Sequence, residues 1–255
     1  MRSRGKIAAM VQKYDLRGQS ALVTGAGRRL GRAFAEALAS CGANIAVHYG
    51  QTATGAEETV QVALSHGVRA VTLQADLSQT DQASSLTGRA VEALNEVTIL
   101  INNASIFESL ELMDTTLEAW QNHLTINLTA PFLLSQSFGR LRAGRQGTII
   151  NILDWRALRP GPDHFPYTIS KSGLAAMTRS LAQALAPNIR VNGLALGAIL
   201  PPPGMEGFDQ SVLEGVPLNR WGSVEETVDA LLFLIAGPDF ITGEILHLDG
   251  GRQLT

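Results

Sequence analysis

The sequence predicts one α/β domain in which helices cover both faces of a parallel sheet of about seven strands. Short β-branched or apolar runs alternate with longer segments whose apolar residues recur at i, i+3 and i+4. Strands that alternate with helices imply crossover connections and parallel pairing. A glycine-rich turn follows the first strand, and no linker or repeat interrupts the series, so we expect a single domain over residues 18–255.

The elements follow in chain order. The predicted strands are Ser20–Thr24, Asn44–Tyr49, Val68–Gln74, Val97–Ile101, Gly147–Ile152, Asn188–Leu194 and Glu244–Leu248. Helical spacing is clear at Ala33–Leu38 and Thr59–Leu64. Three helix starts fit the S/T-x-x-E capping box: Thr54 with Glu57, Thr115 with Glu118, and Ser223 with Glu226. Residues 1–17 are rich in basic residues, and we expect them to form a disordered lead, with Met10 as an alternative first residue.

Composition excludes several function classes. A net charge of −3 gives no reason to expect nucleic acid as a partner. No apolar run approaches a membrane span, and the N-terminus lacks the apolar stretch of a secretory signal, so we expect a cytoplasmic protein. The single cysteine, Cys41, argues against a disulfide framework or a cysteine-rich zinc site, and we expect no metal. Only 3 of the 20 basic residues are lysines, and Lys171 is the only one after residue 13.

The turn after the first strand, Thr24–Gly31, predicts a nucleotide site. Glycines such as Gly25 let the backbone approach a pyrophosphate, and the N–H groups of the following helix, from Arg29 and Leu30 onward, favour an anion. The neighbouring guanidinium groups of Arg28 and Arg29 also fit a phosphate. A simple tight turn is the alternative interpretation.

The end of the second strand indicates which dinucleotide binds. NAD-binding folds carry an acid here, about 20 residues past the glycines, but Val47–Gln51 contains none. We therefore prefer NADPH, with Arg28 as the positive charge for its 2′-phosphate. His48 and Tyr49 are expected to lie beside the adenosine, and His48 is expected to pack there without a chemical role.

Two further strand ends carry polar residues where the cofactor meets such sheets. Asp76 and Leu77 follow the third strand and suit the adenine edge. Asn103, Ala104 and Ser105 follow the fourth strand. Each signal is weak by itself, because Asp and Asn are ordinary loop residues.

Tyr167 and Lys171 lie four residues apart, on one face of a predicted helix. A free phenol has a pKa near 10, and a neighbouring ammonium favours its ionised form. The pair therefore predicts an acid/base site. A surface tyrosine beside a solvated lysine is the alternative.

With this pair in place, residues 19–251 resemble the short-chain dehydrogenase/reductase family. The matching positions also include Asn127 and the closing Leu248–Gly251. The resemblance implies a Rossmann-type fold and hydride transfer at a nicotinamide. It implies Tyr167 as acid/base, Lys171 as the residue that holds the nicotinamide ribose, and Asn127 as the holder of a proton-relay water. It also implies a homotetramer or homodimer built on long helices, here roughly Thr115–Arg142 and Phe165–Ala186.

Three positions depart from the general family pattern. Arg29 replaces a glycine, Asp154 replaces a serine, and Ser105 replaces the last glycine of N-N-A-G. The same changes resemble the pteridine reductase subgroup, as do Phe107 and the tail from Gly250 to Leu254. A degenerate, inactive member is the alternative. Gln51 departs from that subgroup, which tends to have an arginine there.

The resemblance to this subgroup implies a pterin or dihydropterin substrate, and the residues suit one. Phe107 could stack on the flat heterocycle, and Arg29 could bond both the pyrophosphate and the pterin. Asp154 could accept from an amino group or pass on a proton. At about 6 Å, an ionised Asp154 would keep Tyr167 protonated, which favours reduction. The predicted substrate contacts are thus Arg29, Ser105, Phe107, Asp154 and Tyr167.

Other functions stay open from the sequence. A general carbonyl reductase, of 3-oxoacyl thioesters or sugars, is the nearest alternative. A non-catalytic NADP-sensing regulator is a second. The loop from residue 197 to 210 is expected to meet the substrate, with Met205, Phe208 and Trp221 either lining the pocket or packing elsewhere.

Overall fold

The computed structural model describes residues 14–201 and 210–255 and contains the predicted parallel sheet of seven strands. The strand order is β3-β2-β1-β4-β5-β6-β7, and every neighbouring pair is parallel. The strands are β1 (Ser20–Val23), β2 (Asn44–Tyr49), β3 (Ala70–Gln74), β4 (Ile99–Asn102), β5 (Gly147–Asp154), β6 (Ile189–Leu196) and β7 (Ile245–Leu248). The prediction of a doubly wound α/β sheet is confirmed.

Helices connect the strands and cover both faces of the sheet. Those in the described residues are α1 (Arg29–Ser40), α2 (Ala53–Ser65), α3 (Thr80–Leu94), α4 (Leu117–Leu124), α5 (Ala130–Leu141), α6 (Phe165–Ala184) and α7 (Val224–Ala236). A π-helical turn, Thr125–Thr129, joins α4 to α5, so the single helix predicted over Thr115–Arg142 is one helical stretch with a π turn inside it. No helix in the described ranges has the length and apolar character needed to cross a membrane.

The core has two main layers because successive strand residues point to opposite faces. In β1, Val23 packs into the cluster that holds Phe34 of α1 and Leu231 of α7. Leu22 packs into the opposite cluster, with Leu86 of α3 and Phe138 of α5. All six side chains are fully buried. The sheet is thereby covered on both faces, and its carboxyl edge is left for a ligand.

The order in which strands are added to the sheet changes side beside β1. From β1 it proceeds to β2 and β3 on one side, and then returns to β4 on the other. Such a switch point opens a crevice at the carboxyl ends of the two central strands, where ligands bind in doubly wound sheets.

One of the three predicted capping boxes is correct. The Ser223 side chain accepts from the Glu226 N–H, and Glu226 accepts from the Ser223 N–H. The box predicted at Thr115 is wrong, because the next residue, Thr116, has the extended backbone of an N-cap and accepts from the Ala119 N–H.

The box predicted at Thr54 is also wrong. Here α2 begins at Ala53, after Thr52, whose side chain makes no capping hydrogen bond. The first turn of this helix packs so closely on the glycine loop that a Cβ at Gly55 would overlap the carbonyl oxygen of Gly27. A tertiary contact therefore places this helix start.

The predicted boundary at residue 18 lies too far along the chain. Tyr14 and Leu16 are buried in the same core cluster as α1, and the Leu16 N–H donates to the carbonyl oxygen of Cys41 at 2.9 Å. Apolar side chains thus attach residues 14–17 to the domain, which corrects the expectation of a disordered lead for these four positions. Residues 1–13, including Met10, lie outside the described residues.

Candidate active site

A cavity of about 670 Å³ opens at the carboxyl edge of the sheet, beside the switch point. With one exception, every residue predicted to bind cofactor or substrate, or to take part in catalysis, lines it. These residues are Gly25, Arg28, Arg29, Leu30, His48, Tyr49, Asp76, Leu77, Asn103, Ala104, Ser105, Phe107, Asp154, Tyr167 and Lys171. The exception is Asn127. Leu196 and Gly197 also line the cavity; Trp221 does not, and Met205 and Phe208 lie outside the described residues.

The glycine-rich turn is shaped by close backbone contacts. Gly25 has a φ of 64°, and a Cβ at Gly31 would overlap its carbonyl oxygen. Thr24 holds this turn to the end of β4, because its hydroxyl oxygen accepts from the N–H groups of Asn103 and Ala104, both at 2.9 Å. The Asn103 amide donates back to the Thr24 carbonyl at 2.7 Å. The loop is therefore held against the neighbouring strand before any ligand binds.

His48 braces the same turn from β2. Its Nδ1 accepts from the Gly25 N–H at 3.1 Å, and its Nε2 lies 3.0 Å from the carbonyl oxygen of Ala75. Both contacts are satisfied by a neutral ring with its proton on Nε2. Burial lowers the pKa of His48 to about 4, so the ring is neutral at physiological pH. That His48 packs there without a chemical role stays a prediction.

Arg29 crosses the mouth of the cavity. Its Nη2 donates to the carbonyl oxygen of Pro201, on the loop after β6. Its φ is 52°, in the left-handed region where glycine is favoured, which accounts for the glycine of the general family pattern at this position. Burial, and then the charge of Arg28, lower the pKa of Arg29, which still remains a cation at neutral pH.

Tyr167 and Asp154 form a direct hydrogen bond inside the cavity. The phenol donates to Asp154 Oδ2 at 3.1 Å, which is closer than the separation expected from the sequence. Burial raises the pKa of Tyr167 well above 10, and the carboxylate of Asp154 raises it further. The phenol is therefore protonated throughout the physiological range and is in the form that can donate a proton, not accept one.

Lys171 is the deepest charged group of the site. It is buried, its Nζ donates to the carbonyl oxygen of Ile152 at 2.8 Å, and it lies 5.7 Å from the centre of the Tyr167 ring. Burial lowers its pKa to about 8, while Asp154 acts in the opposite direction.

The Lys171 ammonium also tests whether the cavity fits a dinucleotide. An ammonium carries three donors, and within the described residues only the bond to Ile152 uses one of them. A group with hydroxyl acceptors, such as the ribose of a nicotinamide cofactor, fits the donors that remain. Together with the glycine-rich turn, the donor set suits this cofactor.

Asn127 lies in the π turn and holds the wall of the cavity. Its Oδ1 accepts from the Ser105 hydroxyl at 3.0 Å and the Ile106 N–H at 2.9 Å. Its Nδ2 donates to the Ile106 carbonyl and the Ser170 hydroxyl, both at 3.0 Å. The side-chain amide is thus occupied by protein groups and joins the loop after β4 to α6. The proposed role in holding a relay water stays a prediction.

Phe107 stands at the mouth of the cavity and is 43% exposed. Its ring meets the Tyr167 ring edge to face at a centroid distance of 4.7 Å, and the His164 ring at 4.3 Å. A partly exposed aromatic ring next to the proton donor can contact a flat ligand, so the placement is compatible with the predicted stacking.

Arg156 is the main residue that the sequence analysis missed. It lies two residues beyond Asp154, and its side chain is 14% exposed at 3.6 Å from Asp154 Oδ1. The sequence offered one signal for Arg156, namely its position two residues after the unusual Asp154. Its other partner, Asp163, is brought near by the loop before α6, which no local pattern predicts.

The fold and the cavity define a dinucleotide-binding oxidoreductase. A family model described as enoyl-(acyl carrier protein) reductase matches residues 25–253. The 3-oxoacyl-[acyl-carrier-protein] reductase of Synechocystis is 32% identical over 94% of this chain and 98% of its own length. The chain therefore belongs to the short-chain dehydrogenase/reductase family, whose members use a nicotinamide cofactor.

Two solved structures that carry NADP are similar to this chain. The FolM alternative dihydrofolate reductase 1 of Brucella canis, complexed with NADP, has a TM-score of 0.86 and 32% identity, covering 94% of this chain and 96% of its own. A short-chain dehydrogenase of Burkholderia cenocepacia in complex with NADP has a TM-score of 0.88 and 30% identity, covering 93% and 98%. The family and its nicotinamide cofactor are as predicted.

Proposed function

We propose that this protein is an NADPH-dependent reductase of a pterin or dihydropterin. The observation that carries the proposal is the hydrogen bond from Tyr167 to the carboxylate of Asp154 inside the cavity. A carbonyl oxygen needs hydrogen-bond donors, whereas a carboxylate suits a substrate with amino groups and protonated ring nitrogens, which donate. The similarity to an alternative dihydrofolate reductase supports this substrate class.

The side chains take complementary parts in the proposed reduction of a ring C=N bond. The bound cofactor supplies the hydride to the carbon. Tyr167 and Asp154 relay the proton to the ring nitrogen, since burial and Asp154 keep the phenol protonated. Lys171 would hold the nicotinamide ribose through the donors that its bond to the Ile152 carbonyl leaves. Arg29 and Phe107 hold the heterocycle at the cavity mouth, the first through hydrogen bonds and the second through its ring face.

The preference for NADPH over NADH rests on charge at the end of β2. His48, Tyr49, Gly50, Gln51 and Thr52 line this part of the cavity, and none of them is acidic. Arg28 lines the same cavity and is exposed. A cation without a competing carboxylate favours the 2′-phosphate. The bound NADP of the two similar structures supports the same choice.

Arg28→Ala is expected to weaken NADPH binding about tenfold and to leave NADH binding within twofold, because a charge-assisted hydrogen bond contributes about 1.5–3 kcal/mol. Dissociation constants for both dinucleotides, from fluorescence titration, measure the effect. Arg32→Ala is the control, since Arg32 lies in the first turns of α1, which begins directly after Arg28, but pairs with Glu36 and Glu58. An equal loss of affinity for both dinucleotides in Arg28→Ala would contradict the assignment.

The substrate class is tested by supplying NADPH with dihydrobiopterin, dihydrofolate or an acetoacetyl thioester in parallel. Oxidation of NADPH and formation of the reduced product are followed together. We expect kcat/KM for at least one dihydropterin to exceed that for the thioester by a hundredfold or more, since a thioester ketone meets a carboxylate at Asp154.

The second candidate is a carbonyl reductase of 3-oxoacyl thioesters. The 32% identity to the Synechocystis reductase favours it. Faster reduction of the acetoacetyl thioester than of either dihydropterin would select this function and reject the first.

Assembly also belongs to the proposal. Leu117 of α4 and Phe132 of α5 are 71% and 41% exposed, which is costly for large apolar side chains in water. Both lie on the long helices through which the family resemblance implies subunit contact. We therefore propose a homotetramer built on these helices. We also propose a cytoplasmic location.

A further inference from the structure

Arg156 is held rigidly beside the proposed proton donor. It follows β5 in a short 3₁₀ turn, Trp155–Ala157. Its Nε and Nη2 donate to Asp163 Oδ2 at 3.1 and 2.7 Å. Its guanidinium carbon lies 4.6 Å from the centre of the Trp155 ring, and Arg252 lies 4.4 Å from the same ring. Hydrogen bonds and cation–π contact thus fix where the remaining nitrogen points.

That remaining nitrogen faces Asp154. Arg156 Nη1 lies 3.6 Å from Asp154 Oδ1, and the backbone N–H of Arg156 donates to the same oxygen at 2.9 Å. The other oxygen, Oδ2, accepts from Tyr167. The two carboxylate oxygens are therefore divided between Arg156 and Tyr167. Any residue at 156 except proline supplies the backbone donor, so the guanidinium charge is what arginine adds.

We propose that Arg156 is a positioning residue for the Tyr167–Asp154 pair, supplying the counter-charge that keeps the carboxylate directed at the phenol. The inference rests on the proposed role of Asp154 in the reduction. Arg156 itself touches neither Tyr167 nor the space where a substrate binds, because it does not line the cavity.

The surrounding charges agree with this role. The ionisable groups that face the pair are Arg156 and Arg252 from the turn after β5 and the C-terminal segment, and Asp163, His164 and Lys171 from α6 and the loop before it. Burial and then Asp154 raise the pKa of Tyr167, while Arg156 acts to lower it. Arg156 thus offsets part of the effect of Asp154 on the pKa of Tyr167.

The test uses the fact that the chain has only three tyrosines. Labelling them with ¹³C at Cζ gives a resonance for Tyr167 that is assigned by its loss in Tyr167→Phe. At neutral pH and without cofactor, Arg156→Met should shift the Tyr167 resonance, whereas Arg156→Lys should retain more of the wild-type position. Arg159→Met is the matched control, because it removes the same charge from an exposed arginine that bonds the Arg252 carbonyl instead.

Turnover is the second readout. Arg156→Met should lower kcat for the reduction by roughly tenfold and leave the Kd for NADPH unchanged, and Arg156→Lys should recover part of the loss. In the Asp154→Asn background, Arg156→Met should cause a smaller loss of kcat and a smaller resonance shift than it causes in the wild-type background, because only the direct effect of Arg156 on Tyr167 remains.

The two proposals fail separately. An unchanged Tyr167 resonance in Arg156→Met overturns the positioning role whatever the substrate is, because this measurement needs no turnover. An additive effect in the Asp154→Asn background overturns it as well. A failure to reduce any dihydropterin overturns the proposed function, while a resonance shift that depends on Asp154 would still support the role of Arg156.

Discussion

Asp154→Ser is expected to lose at least a hundredfold in kcat for dihydropterin reduction while binding NADPH as tightly as the wild type. Asp154 contacts the reacting end of the cavity through the Tyr167 hydroxyl at 3.1 Å. General acid groups contribute about 10²–10⁴-fold to rates, and the substitution removes one partner of the proposed relay. The dinucleotide end of the cavity lies on β1 and β2 and is not altered.

The same substitution changes the acidity of Tyr167. Burial and the Asp154 carboxylate both raise the pKa of the phenol, so removing the carboxylate lowers that pKa toward the range of a proton acceptor. Asp154→Ser should therefore move the loss of turnover at high pH to lower pH, whereas a general loss of structure would reduce turnover equally at every pH.

Initial rates with NADPH and dihydrobiopterin, together with NADPH titrations, measure the effect. Asp239→Ser is the control, because Asp239 is 95% exposed and lies at 3.6 Å from Arg190. Asp154→Asn keeps the size of the side chain and separates charge from shape. Equal turnover by wild type and Asp154→Ser would contradict the assignment of a pterin substrate.

The strands and the glycine-rich turn could be predicted because their signals are local. The alternation of short apolar runs with helical segments predicts all seven strands, and every strand end lies within two residues of the observed end. The turn after β1 combines glycines with a helix start, and its function follows from backbone geometry that a few adjacent residues determine. The spacing of Tyr167 and Lys171 likewise depends only on helical periodicity.

Helix starts were harder to predict where two candidates lie close together. Thr115 and Thr116 both suit an N-cap, and the capping box pattern alone selected the wrong one. At α2 the packing of Gly55 against Gly27 places the helix, so the signal at Thr54 had no effect. At Ser223 both reciprocal bonds form, and the pattern was sufficient.

The charge cluster around Asp154 could not be predicted in full because its members meet only through the fold. Asp163 and Arg252 lie far enough along the chain from Arg156 that no periodicity relates them. Arg29 was recognised as an unusual arginine, but its contact with Pro201 depends on a loop whose course the sequence does not specify. Geometry that depends on adjacent residues can therefore be predicted from the sequence, whereas the arrangement of charges around Asp154 cannot.

Lys171 is expected to make the stability of the cofactor-free protein rise with pH in the alkaline range. Burial lowers its pKa from 10.5 to about 8 in the folded protein. Between these two values the unfolded chain binds more protons than the folded one, so the free energy of unfolding increases as pH rises. Below about pH 8 the full cost of the buried charge is present, roughly 3 kcal/mol at about 1.4 kcal/mol per pKa unit.

Denaturant unfolding of wild type and Lys171→Met, at about pH 7 and about pH 10, measures the contribution of Lys171 to the free energy of unfolding. We expect the wild type to gain about 2 kcal/mol relative to Lys171→Met between the two pH values, since most of the shift lies within that window. Lys171→Met should also lose turnover. A parallel pH dependence of the two proteins would show that the Lys171 ammonium is not destabilised by burial.

The lowered pKa shows why lysine suits position 171, although every other basic residue after residue 13 is an arginine. A buried guanidinium would keep its charge at every accessible pH, and its planar fork would suit less well a position where one donor meets the Ile152 carbonyl and a ribose would take the others. An ammonium is compact, and its three donors can reach the Ile152 carbonyl and a ligand together. Burial destabilises the charge of Lys171 while its remaining donors lack partners. Cofactor binding should supply those partners, raise the pKa of Lys171 and remove part of the pH dependence of the free energy of unfolding. Repeating the unfolding series with saturating NADPH should therefore flatten the wild-type profile toward that of Lys171→Met.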